Sequence, residues 1–169
     1  VVTVRPDETG YDGPLGGLEF QRKLEKDAFE VSGDYRAGAQ RAADFLAKRT
    51  TDELPESSYP LGIAAADLRV LLPKFMVEAL SSALPRFERK LAGFIENGLL
   101  VAVEARVSSA VRISRDSQTR ESVSTGMLYP AGEGSGHAGG IMSSAVDGML
   151  SALAVISRFS VPTRHKPPT

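Results

Sequence analysis

The chain has 169 residues, of which 42% are hydrophobic and 24% charged, an ordinary balance for a globular domain with a real core. Its net charge of -1 gives no bulk electrostatic case for nucleic acid or an anionic membrane surface. With no cysteine, and only His137 and His165 as histidines, it offers no disulfide, no thiolate chemistry and no His-rich metal site.

Residues 1–4, Val-Val-Thr-Val, read as a β-type run closed by Arg5 and Pro6. This opening is no signal or transit peptide, and without a methionine it suggests a processed or truncated product. A turn-rich loop over 7–14 leads to Pro14, a residue suited to a first helical turn. Leu15, Leu18, Leu24, Ala28 and Val31 then recur at helical spacing, with a mixed-charge solvated face between them, until Ser32, Gly33 and Asp34 stop the helix. Residues 38–48 predict a short helix carrying Ala42, Phe45 and Leu46, followed by a loop to 62. A short helix is expected over 65–72 and another from Pro73, with Pro85 kinking it or opening a new turn. Residues 99–103 and 107–113, rich in valine and leucine, predict strands, as does the shorter run 127–131. Residues 114–124 form a polar connection. The last helix, 139–159, aligns Ile141, Ala145, Met149, Leu153 and Ile156 on one face. No apolar run approaches the ~18 residues of a membrane span, and 160–169 is a flexible polar tail.

Helices in the first half do not alternate with strands, which argues against a self-contained parallel sheet. The pattern predicts an α+β protein: an inserted, substrate-type domain over 1–125, then a strand, loop and helix over 126–159 that return to another domain's sheet.

Between that last strand and helix lies AGEGSGHAGG, with five glycines, Gly132, Gly134, Gly136, Gly139 and Gly140, in nine residues. It contains a literal G-x-G-x-x-G, but only 30 residues follow Gly139, so no βαβ unit can complete a dinucleotide fingerprint. No G-K-[ST] closes it as a phosphate loop either. Glycine still lets a ligand approach the backbone, and the N–H groups of the following helical turn favour an anionic or polar group. A flexible surface loop is the competing reading. Asp147, on the last helix, reads as a solvated or capping carboxylate rather than a cofactor-facing one.

The stretch LYPAGEGSGHAGGIMSSAVDGM resembles the C-terminal flavin motif of a family of largely uncharacterised FAD-dependent dehydrogenases of bacteria and of plant and algal plastids. GPLGGLEFQRKLEKDAFEVSG, DYRAGAQRAADFL and LPRFERKLAGFIENGLLVAVEARVSSAVRI resemble further family segments in the same order, so the likeness spans residues 11–159. It implies a split FAD-binding, Rossmann-like domain, built from both ends of a longer polypeptide, whose adenine and pyrophosphate site lies outside this chain.

By that resemblance Gly132, Glu133 and Gly134 belong to the cofactor loop, with Glu133 accepting from a ribityl hydroxyl. Gly139, Gly140 and Ile141 form the helix start whose N–H groups face the pyrimidine edge of the flavin. Ser108, Ser109 and Arg112, preceded by Glu104 and Arg106, match a motif near the ring or a substrate anion. Three positions depart from the family pattern: His137 for tyrosine, Ala110 for proline and Gly38 for proline. His137 is the weak candidate for proton donation, against the simpler reading of a loop-lining side chain. The implied function is part of a flavin-dependent oxidoreductase with FAD as cofactor and the missing N-terminal half as partner. The alternative is a non-catalytic, flavoprotein-derived subunit in a larger assembly. The terminal helix is closest to the plastid members, which implies a chloroplast location, with the cytoplasm otherwise.

Overall fold

The computed structural model describes residues 1–160; the expected tail lies, from 161 onward, outside the described residues. Two compact units follow one another, Val1–Ala105 and a second beginning at Arg106.

In the first unit α1 (Gly16–Ser32) buries Phe20 and Leu24 and ends at Gly33, whose φ of 74° turns the chain out while its N–H closes onto Phe29 O at 2.9 Å. The sheet follows: β1 (Ala37–Arg41), then α2 (Ala42–Leu46), β2 (Ile63–Ala65), α3 (Leu68–Leu71), α4 (Lys74–Lys90), α5 (Phe94–Asn97) and β3 (Leu99–Ala102). The strand order is β2-β1-β3, with β2 parallel and β3 antiparallel to the central β1. The unit is therefore α+β with a small mixed sheet.

Sequence periodicity places α1, α4 and β3 well, and the short helices expected over 38–48 and 65–72 form in shortened form as α2 and α3, the beginnings of those ranges being taken instead by strands β1 and β2. Their residues are small because the sheet is tightly covered: a Cβ on Gly38 would meet the Ala66 Cβ at 3.2 Å. Close packing decides the backbone against local helix propensity. Residues 1–4 form no strand and lead instead into a 3-10 turn, Pro6–Glu8. Pro85 stays inside α4 rather than ending it.

The core is Phe45, Ala66, Leu68, Leu71, Leu72 and Leu84. Gln40, fully buried on β1, joins core to loop: its Nε2 donates to Arg49 O at 2.8 Å and its Oε1 accepts from Leu68 N at 3.0 Å. Two of the short helices start on carboxylate acceptors. Asp67 accepts from Arg69 N at 3.0 Å to start α3. Glu88 accepts from Gly93 N and Ile95 N, at 2.8 and 2.7 Å, to start α5, and those donors hold its carboxyl below the usual range.

Among the described residues the second unit has one helix, α6 (Ile141–Phe159), and otherwise irregular chain with an isolated bridge between Arg115 and Ser122. The strands expected over 107–113 and 127–131 do not form. A strand exists only through its ladder partner, and among the described residues this unit supplies none to either segment.

Candidate functional site in the glycine loop

The second unit is organised around one carboxylate. Asp147, 8% exposed, lies two turns into α6. Arg115 donates to it bidentately, Nη1 at 2.9 Å and Nη2 at 2.6 Å, and Arg120 Nη1 adds a bond at 2.7 Å. The Gly132 N–H donates to its Oδ2 at 2.8 Å, and the same Arg115 reaches Pro130 O at 2.6 Å. Side-chain bonds from Arg115 and the Gly132 amide hold the Asp147 carboxyl far below the usual carboxylate range, against the cost of its burial. The solvated carboxylate expected at 147 is thus the clasp of the glycine loop. The sequence signal for it was a polar stripe, Ser144, Asp147 and Ser151, at helical spacing on an otherwise apolar helix.

The clasp has a consequence for α6. Its polar stripe is buried, and Ile141, Met142, Val146, Met149, Leu153 and Ile156 are exposed. The face expected to be a core face has no cover among the described residues of this unit. Although no unbroken apolar run of the sequence reaches a membrane span, by length and a mean hydropathy of 1.3 the helix as a whole is long and apolar enough to cross one. Its buried, doubly paired Asp147 suits a helix lying against protein.

The loop itself is zipped to residues 109–113. Ser109 Oγ donates to Gly134 O at 3.2 Å and to Val111 O at 2.8 Å, and Ile113 N donates to Ser135 O at 3.0 Å. Arg112 Nε donates to Gly136 O at 2.9 Å, so this arginine serves the loop backbone. His137 Nε2 lies 2.8 Å from Ile113 O. A carbonyl can only accept, so Nε2 carries the proton and Nδ1 is the nitrogen left to a ligand. Ser109, Arg112 and the glycine loop are therefore brought together, while Arg106 and Ser108 stand exposed at the start of the unit.

The five glycines divide by task. Gly132 and Gly136 have φ of 73° and 80°, and a Cβ on Gly136 would meet Val111 O at 2.4 Å. These two shape the loop. At Gly134 and Gly139 a Cβ would meet nothing within 4 Å. Their bare backbone faces open space, as does the exposed Glu133 between the two sets. The loop then enters α6 through Gly140, with no side chain capping the helix. The first-turn N–H groups are unpaired by the helix itself. Beneath Gly132, Ser144 Oγ is buried and has no hydrogen-bond partner among the described residues. A depression of about 320 Å³, lined by His137, Met142, Ser143, Val146, Asp147 and Leu150, opens beside this entry. Among the described residues no three His, Asp or Glu side chains converge as metal ligands.

An uncapped helix end, an open glycine backbone and an orphaned hydroxyl suit a polar or anionic group. The model of a family described as "FAD-dependent protein, C-terminal domain-like" matches residues 1–107, and this chain belongs to that family. An uncharacterized protein of Clostridium beijerinckii is 40% identical over 166 residues, covering 96% of this chain and 31% of its own. The chain thus spans about a third of that relative's length.

Proposed function

We propose that this chain is the C-terminal part of a flavin-dependent oxidoreductase and supplies the ribityl and isoalloxazine side of its FAD site. The observation that carries the reading is the clasped glycine loop ending at the uncapped N-terminus of α6, with Gly134 and Gly139 open. The residues fit the group. The N–H groups at Gly139, Gly140 and Ile141 would face the pyrimidine edge, where the helix dipole favours the negative charge of reduced flavin. Glu133 would accept from a ribityl hydroxyl. When bound, FAD supplies the hydride chemistry; this chain binds, orients and sets the local potential. Arg112 and Ser109 hold the loop in that geometry through its backbone. His137 fixes the neighbouring strand-like segment through Ile113.

The exposed face of α6 fits the same reading. A run of this kind needs cover, and about two thirds of the Clostridium relative lies outside the matched region. The N-terminal half of the full-length polypeptide is the proposed cover, and it would bring the adenine and pyrophosphate site.

Gly139→Val tests the loop. The position is open, so the full-length variant should keep its melting temperature while losing FAD affinity at least about tenfold, the worth of one lost charge-assisted hydrogen bond. Unchanged affinity would remove the helix entry from the flavin site. A flavin-free full-length protein would favour the non-catalytic module, for which the same apolar face is a partner surface.

A further inference from the structure

The sheet of the first unit ends on an open edge. Its order is β2-β1-β3, so β3 has a neighbour on one side only. The ladder shows which of its backbone groups are in use. Ala42 N donates to Gly98 O at 2.9 Å, and the pairing of Gln40 with Leu100 and of Gly38 with Ala102 continues that bonded set. In an antiparallel pair such sets alternate, so Leu99 and Val101 turn their N–H and C=O groups outward. No hydrogen bond reaches those outward groups among the described residues.

The edge also lacks the usual protection. Leu99, Leu100, Val101 and Ala102 include no charge and no proline, the devices that keep an exposed edge from pairing. Val101, inside the strand, is 43% exposed. Beside it lies a cavity of about 460 Å³ whose apolar wall includes Val101, Val103, Phe29 and Tyr35. An added strand projects alternate side chains to one face, and a cavity of this kind takes one of them.

We propose that β3 is an inner strand in the full-length protein, paired along its outer edge by a strand from the N-terminal part of the same polypeptide. Two observations choose this occupant. About two thirds of the Clostridium relative lies outside the matched region, enough chain to supply a strand. Residues 1–4 are β-type chain on the N-terminal side of this unit. Val2 and Val4 are half-buried while Val1 and Thr3 are exposed, a strand-like alternation with no ladder among the described residues. A second copy fits poorly. Two four-residue strands bury well under the roughly 1,200 Å² that a stable dimer needs, whereas a tethered strand docks at high effective concentration. The proposal rests on the longer polypeptide of the flavin reading and uses nothing of FAD.

The test is residue-resolved hydrogen exchange on the full-length protein. The Leu100 amide faces β1 in the ladder and serves as the internal standard. The Val101 amide is expected to exchange within about tenfold of it, whereas an open edge leaves Val101 roughly a hundredfold faster. Diluting the protein about a hundredfold should not change that protection, because the strand is tethered. Protection lost on dilution would assign the edge to a second copy and overturn the proposal. Val101→Pro removes an N–H that β1 does not use, and proline is tolerated in an edge strand whose N–H faces solvent. Its melting temperature is expected to fall several degrees below that of Val101→Ala, which keeps the N–H. Equal melting of the two variants, or fast exchange at Val101 in the wild type, would overturn the proposal. The wild-type exchange decides the matter even where the proline variant does not fold. Loss of FAD binding with Val101 still protected would sink the flavin reading and leave this one standing.

Discussion

Replacing Asp147 with alanine is expected to destabilise the second unit by about 3 kcal/mol and to speed exchange of the Gly132 amide roughly a hundredfold. The reason is what the carboxylate leaves behind. Arg115 and Arg120 are nearly buried, and without Asp147 their charges face each other across a site with no anion. The Gly132 N–H loses its acceptor at the same time. Hydrogen exchange read by mass spectrometry separates the two units, so loss of protection over 130–140 with the first unit unchanged is the expected pattern. Asp147→Asn keeps the shape, and a near-normal exchange rate for it would show that hydrogen bonding rather than charge holds the loop.

The same carboxylate dictates the pH response. Its folded pKa lies below the unfolded value of 3.8, so its stabilisation is complete above that value and is lost as pH falls below it. Asp44 and Asp67 shift the same way, Asp44 through Thr51 and Arg49, Asp67 through Arg69. Thermal stability is therefore expected to be flat near neutrality and to decline below about pH 4. The decline should begin in the second unit, whose described residues hold a single helix and one clasp.

In the first unit the largest expected effect belongs to Phe45→Ala. Phe45 is 1% exposed at the centre of the core, on a helix of only five residues. Truncation of a buried phenylalanine costs about 3–5 kcal/mol, and α2 is too short to hold itself without that anchor. The variant is expected to melt well below wild type, whereas Val70→Ala, at an exposed position, should melt with it. Equal melting of the two would mean that the core is centred elsewhere.

The helices α1, α4 and α6 were legible because apolar periodicity is a property of the segment itself. Strands β1 and β2 were not, since Ala-Gly-Ala-Gln and Ile-Ala-Ala carry no strand signature of their own. They are held by their pairing with each other and, at Gly38, by a close approach to Ala66, contacts that only the folded chain contains. The reverse error arose over 1–4, 107–113 and 127–131, where valine and leucine suggest strands that find no ladder among the described residues. In the candidate site, the loop and its helix entry could be read from glycine density. The clasp could not be read from Asp147 alone, because its partners Arg115 and Arg120 lie 32 and 27 residues away in a segment that looks like a polar connection.

The same physics explains the division among the glycines. Counted in sequence, all five look equivalent. In the fold, Gly132 and Gly136 take left-handed backbone and close contacts, while Gly134 and Gly139 leave backbone open. The second pair, with Gly140 at the helix entry, supplies the backbone proposed to meet the flavin.

The central claim is that this chain completes a flavin site, and the most direct measurement is a FAD titration of the full-length protein followed by visible absorbance and flavin fluorescence. The expected result is saturation at one FAD per polypeptide with a bound-flavin spectrum, and weakened binding in Gly139→Val. A well-folded full-length protein that remains colourless in excess FAD would contradict it.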